Sequence, residues 1–216
     1  MYTLIVGTQG WSSWSLRPYM ALMATGAPFK LQVIKLREPQ SHNAILKHSP
    51  SGRVPVLKFD RQAVWDSLAI CETLAERHPK AGLWPKDAML KAKARSYAAE
   101  MHSGFPDLRN QLAMEFARKL PMPDLKPETR DQIDRIIGAW EEALKKHGGK
   151  DGFLFGKFSI ADCMYAPVVS RFATYGVKTP KRVQRYMDKI WALPAMQNWL
   201  TASQKEIDGG LARYPG

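Results

Sequence analysis

Ser12, Ser13 and Ser15 fall where a short apolar run, residues 2–6, gives way to a helical pattern over residues 15–24. Ser12 and Ser15 have the spacing of the two cysteines in a thioredoxin-like redox motif, but they carry hydroxyls. Hydroxyls cannot exchange disulfides. They can donate hydrogen bonds at a helix N-terminus, whose partial positive charge favours an anion. That chemistry suits holding another molecule's thiol as its reactive thiolate. Capping of the helix is the alternative use for the same side chains.

Two further polar sites follow. Val54-Pro55 leads directly into an apolar run, and an X-Pro bond entering a strand is a candidate cis peptide. A cis bond would turn the Val54 N–H and C=O away from the sheet, where an extended peptide could pair with them. The alternative is a trans proline opening an edge strand. Asp66-Ser67 precedes a helical pattern with apolar Leu68, Ile70, Cys71, Leu74 and Ala75. The carboxylate of Asp66 could take an ammonium group. Ser67 and the helix start could take a carboxylate, so the pair matches the two charges of an α-amino acid; simple capping competes here too.

The elements needed to bring these sites together are readable. Residues 2–6 form a strand, residues 15–24 a helix stopped by Gly26, and Phe29, Leu31 and Val33 alternate as a second strand. Residues 56–59 and 63–65 flank Asp60-Arg61 as a hairpin, and residues 68–77 close the unit as a helix. This β-α-β, β-β-α order is thioredoxin-like. Pro79, Gly82 and Pro85 mark a linker over 80–87, in which Leu83-Trp84 should be pinned between two domains, 1–79 and 88–216. Strand signals then vanish. Residues 88–120 read as one or two helices with a kink at Gly104-Phe105-Pro106. Pro127 opens another helix with Ile133, Ile136, Ile137, Trp140 and Leu144 at helical spacing, ending in Lys145-Lys146-His147-Gly148-Gly149. Ser159-Ile160-Ala161-Asp162 is a capping pattern with a folding role.

Composition bounds the function. The chain has 216 residues, 45% of them hydrophobic and 24% charged, as in ordinary soluble proteins. No stretch reaches the roughly 18–20 apolar residues of a membrane span, and no signal core is evident at the N-terminus. Cys71 and Cys163 lack motif spacing and read as buried free thiols, consistent with a cytoplasmic location. The five histidines show no metal-ligand spacing, so no metal is expected. The net charge of +12 is spread, +4 over residues 1–79 and +8 over 80–216. Without a basic arm, a zinc motif or RNA-binding aromatics, it implies attraction of anionic substrates rather than nucleic acid.

Four motifs in order, Ser-Ser-Trp-Ser-Leu-Arg at 12–17, Ser-Gly-Arg-Val-Pro-Val-Leu at 51–57, Asp-Ser-Leu-Ala-Ile at 66–70 and Phe-Ser-Ile-Ala-Asp at 158–162, resemble cytosolic glutathione transferases. The run at 12–17 is similar to the serine-type, zeta-like members. The resemblance covers essentially the whole chain. It implies a glutathione transferase fold: an α/β thioredoxin-like N-terminal domain that binds glutathione, plus an all-α C-terminal helical-bundle domain. It further implies a homodimer and a small electrophilic second substrate. Ser12 matches the family's catalytic serine, with Ser13 and Ser15 as alternates. Arg17, His42, Arg53, Val54, Pro55, Asp66 and Ser67 are the expected glutathione contacts. Met101, His102, Phe105 and Arg109 are the expected second pocket, with Met101, Phe105 and Arg109 on one helical stripe. If Arg109 faces that pocket, it favours an acidic or polar-headed electrophile. Trp14 stands where zeta-like proteins carry cysteine, and Pro18 where an apolar residue is more usual. The reading is therefore a glutathione transferase. A glutathione-dependent cis-trans isomerase of the maleylacetoacetate type and a non-catalytic glutathione-binding regulator are the alternatives.

Overall fold

A computed structural model describes residues 1–214. The strand β1 (Tyr2–Gly7) lies inside a four-stranded sheet of order β2-β1-β3-β4. It runs parallel to β2 (Phe29–Ile34) and antiparallel to β3 (Val56–Phe59), which pairs with β4 (Gln62–Val64). Its side chains alternate faces. Leu4 and Val6 join the main core, while Ile5 meets Ile34, Ile45 and Val56 on the other side, all buried. Ile45 comes from α2 (Ser41–Leu46), a six-residue helix too short to leave a periodic signal in the sequence.

The helix α1 (Ser13–Thr25) covers the Leu4–Val6 face and stops at Gly26, whose φ of 68° is the left-handed conformation glycine adopts freely. Beside it lies α3 (Ser67–Arg77), capped by Asp66. Leu83, only 2% exposed, enters the main core, and its carbonyl accepts the Ile160 N–H at 2.9 Å. Trp84 Nε1 donates to Glu72 on α3 at 2.9 Å. The segment between the two halves is thus held from both sides, as the apolar pair at 83–84 predicts.

The second half is helical. The run 88–120 splits into α4 (Ala88–Ser103) and α5 (Pro106–Gln111), with Phe105 at φ 60° between them. Pro106 supplies the first residue of α5. No helix continues over 112–126, so the expected second helix is much shorter than the sequence suggests. Then come α6 (Pro127–His147), α7 (Ile160–Tyr175), α8 (Lys181–Trp191) and α9 (Pro194–Asp208). Helix α7 is mostly apolar and buried along nearly its whole length, as a central helix should be. It packs on α1, α4 and α8, so one hydrophobic core runs from the sheet into the helical half. At its start, the Asp162 carboxylate accepts the Ser159 N–H (2.9 Å), the Ser159 hydroxyl (3.0 Å) and the Leu154 N–H (3.1 Å). Cys71 and Cys163 are both free and buried, and burial pushes both thiols up.

Candidate functional site

The three serines have different surroundings. Ser12 precedes α1, yet its side chain makes no cap bond. Its hydroxyl donates to Ser15 Oγ at 2.7 Å, and Ser15 Oγ also accepts the Gly7 N–H at 3.1 Å. Ser15 is wholly buried and lines neither of the two cavities at this end of the sheet. Ser12 and Ser13 line a cavity of about 630 Å³. Hydroxyl protons rotate, so a thiolate in the cavity can draw the Ser12 proton away from Ser15, whose own hydroxyl can then donate to Ser12 while the Gly7 N–H holds it. The Trp14 N–H in the first turn of α1 has no partner among the described residues, which adds a second donor at the positive end of the helix.

A second cavity of about 580 Å³ adjoins the first; Trp14, Arg53 and Val54 line both. It holds Pro55, Asp66, Ser67 and His102. The Val54-Pro55 bond is cis, as is Trp65-Asp66, and the Val54 N–H and C=O enter no backbone hydrogen bond among the described residues. Asp66 does cap α3: Oδ1 accepts the Leu68 and Ala69 N–H groups at 3.0 and 3.2 Å. Its Oδ2 faces His102 Nε2 at 3.0 Å. Burial lowers the His102 pKa, and Arg17 and Arg109 add to this against the opposing pull of Asp66. A neutral His102 donating from Nε2 leaves Nδ1 as a buried acceptor without a partner among the described residues. Ser67 Oγ is buried and also unpartnered among them. An orphaned buried hydroxyl costs about 1–3 kcal/mol, which a ligand's carboxylate would relieve.

His102 thus belongs with Asp66 and Ser67, not with the second pocket predicted for it. Met101 and Phe105 do not line that pocket either: they are core side chains, 1% and 7% exposed. The reason is the break at Gly104-Phe105, which ends α4 and destroys the four-residue stripe. Arg17 reaches neither cavity. It lies buried under Trp14, with its guanidinium carbon 4.2 Å from the ring centroid. His42 is exposed and packs over Gly52, where a Cβ would meet its ring at 2.6 Å; it backs the Arg53 loop without lining either cavity.

The first cavity is unusually cationic. Arg53, Arg109 and Arg171 line it together with Asn110 and Tyr214, and none of its lining residues is acidic. Arg171 rises from the mostly apolar α7 and donates to the Leu112 carbonyl. Burial, with repulsion from Arg109, brings its pKa down to about 10. Arg17 is pushed down to about 9 by burial, Arg109 and Arg171. Both stay charged at neutral pH. Sequence reasoning missed Arg171, although a lone arginine inside an apolar helical run is a usable signal. It also missed Asn110 and Tyr214, which sit in segments without periodicity.

A larger cavity of about 990 Å³ lies between the end of α7, α8 and α9 and contains none of these groups. Among the described residues, no three His, Cys, Asp or Glu side chains gather as a metal site. No helix among them is long and apolar enough to cross a membrane.

A thioredoxin-like sheet domain with a serine at the redox position, joined to a helical domain across a polar cleft, defines the class of protein. Comparison with known proteins gives the family. Residues 11–77 match the glutathione S-transferase N-terminal domain and residues 123–202 the C-terminal domain. The maleylacetoacetate isomerase of Pseudomonas aeruginosa is 28% identical over 90% of this chain and 94% of its own length. That of Dictyostelium discoideum is 30% identical over 72% and 73%. A glutathione transferase homologue from Burkholderia, solved with bound glutathione, superposes with a TM-score of 0.72 at 25% identity, covering 94% of this chain and 98% of that one. The chain belongs to the glutathione S-transferase family.

Proposed function

We propose that this protein binds glutathione across the two adjoining cavities and holds its thiol as a thiolate with Ser12, for attack on a small electrophile that bears a carboxylate. The observation that carries this reading is the Gly7–Ser15–Ser12 hydrogen-bond chain, which opens onto a cavity with three arginines and no acid. The γ-glutamyl end fits the second cavity, with its ammonium at Asp66 and His102 Nδ1 and its carboxylate at Ser67. The free Val54 N–H and C=O suit the cysteinyl backbone. A thiol that titrates near 8.5 is only a few per cent ionised at neutral pH, and each unit of lowering is worth about 1.4 kcal/mol.

The thiol's proton leaves to solvent, which also returns a proton where the addition requires one. The sulfur lone pair forms a C–S bond with the electrophilic carbon. In a transferase a leaving group departs, or the added electrons take up a proton. In a cis-trans isomerase, addition to a conjugated double bond leaves a single bond that can rotate, and expulsion of the thiolate restores the alkene. The names of the Pseudomonas and Dictyostelium relatives favour this second reading, since the same thiolate serves both.

Calorimetry should show one glutathione per chain, with weaker binding in Ser67→Ala. Conjugated cis-enoic acids and halogenated acids should then be screened with glutathione present and omitted. No heat of binding to the native protein would refute the reading. Turnover only of uncharged electrophiles would refute the role given to the arginines.

A further inference from the structure

Glu206 stands near the end of α9, almost 200 residues from the serine motif. Its carboxylate accepts the backbone N–H of Gln9 at 2.9 Å and of Gly10 at 2.8 Å. Those two peptides form the bend between β1 and α1. Their carbonyls are also taken by the second half of the chain: Trp199 Nε1 donates to Gln9 O at 2.8 Å, and the Phe116 N–H to Gly10 O at 2.9 Å. All four hydrogen-bonding groups of the Gln9–Gly10 backbone are therefore satisfied from across the domain boundary. Gly10 is pressed from the same side, since a Cβ there would lie 2.8 Å from Leu211 Cδ2. The bend then passes its position to the serine, because the Thr8 carbonyl accepts both the Trp11 and the Ser12 N–H, at 3.1 and 2.9 Å.

We propose that Glu206 is a positioning residue for Ser12. This inference rests on the reading of Ser12 as the hydroxyl that holds the thiolate. A carboxylate on two N–H groups makes charge-assisted bonds, roughly twice as strong as neutral ones. Without it the two donors turn toward water and the bend relaxes. Displacing a reacting group by about 1 Å can cost on the order of a hundredfold in rate. The second half of the chain thus sets the geometry of a hydroxyl carried by the first.

The test is an ultraviolet titration of the thiolate in protein saturated with glutathione, alongside steady-state kinetics. Glu206→Gln keeps the shape but turns an amide toward one N–H. It should raise the bound thiol's pKa by about one unit and lower kcat about tenfold, with KM for glutathione within about threefold. Glu206→Asp keeps the charge with a shorter reach and should fall between it and the native protein; it serves as well if Glu206→Gln does not fold. Ile190→Val, a buried core truncation in α8, should lower the melting temperature without moving the titration. If both Glu206 variants titrate like the native protein while melting lower, Glu206 is structural only and the inference is wrong. If the native protein itself leaves the thiol pKa at its free value, the Ser12 reading fails and this one fails with it.

Discussion

Removing the Ser12 hydroxyl takes away one donor to a charged sulfur, a loss of about 1.5–3 kcal/mol, or roughly ten- to more than a hundredfold in the chemical step. Ser12→Ala should therefore raise the titration midpoint of bound glutathione. Ser15→Ala should give a smaller rise, because it deletes the hydroxyl that lies 2.7 Å from Ser12 and is held by the Gly7 N–H. Ser13→Ala should leave the midpoint in place. An equal response from Ser13 would reassign the proton to that residue, which lines the same cavity. A second residue-level prediction concerns Arg171. Arg171→Met should raise KM for a carboxylate-bearing electrophile by about tenfold or more while changing KM for a neutral one little, since a hydrogen bond to a charged group is lost. Equal losses for both electrophiles would mean that Arg171 only packs. The polar groups beside turns and helix starts, such as the Ser12 hydroxyl, the Val54 backbone and Asp66-Ser67, were legible in the sequence because local spacing marks them. The arginine cluster was not, since Arg53, Arg109 and Arg171 meet only through tertiary packing.

At the level of elements, the start of α7 carries a testable charge. Burial raises the Asp162 pKa from 3.8 to about 6, against the pull of its hydrogen bonds to Leu154 and Ser159. The folded state therefore holds this proton more tightly than the unfolded chain does. The stability it contributes is complete below about pH 4 and is lost as pH rises through about 6, an effect of order 3 kcal/mol. Asp162→Asn should lack that slope, so the gap between the two stability curves measured by denaturant unfolding from pH 3.5 to 7 should change with pH by about 3 kcal/mol. Parallel curves would contradict the assignment. Asp162→Ala should also destabilise by several kcal/mol, since it strands the buried Leu154 and Ser159 N–H groups at about 1–3 kcal/mol each. This cap was readable from Ser159-Ile160-Ala161-Asp162 because capping is local. The extent of α5 was not: composition over 88–120 favours helix, while α5 stops at Gln111, where the next carbonyl, that of Leu112, is taken by Arg171 from a distant helix. Helix α2 escaped for the opposite reason, as six residues contain too few turns to show a period.

The molecule as a whole is expected to pair. That expectation comes from the family, and the surface of α4 gives it a place. Ala88, Ala92, Ser96 and Ala99 are exposed along one side of this helix, next to Lys91 and Arg95, and line a shallow depression of about 600 Å³. Small side chains let another backbone approach closely. The basic neighbours suit an acidic edge, such as the exposed Glu76 on α3 of a second copy. A two-fold arrangement would set α4 of each chain against the first half of its partner, so that any contact made once is made twice. Light scattering at micromolar concentration should accordingly give twice the 24.4 kDa of the chain. Ala92→Arg adds both bulk and like charge at the middle of the depression and should shift the protein toward monomer. Because Ala92 is exposed in the single chain, the substitution should leave the helical circular dichroism signal intact. A native protein that scatters as one chain at those concentrations would overturn the dimer. A dimer unmoved by Ala92→Arg would place the interface on another face, with the first candidate there the exposed apolar Leu31 and Val33 of the edge strand β2.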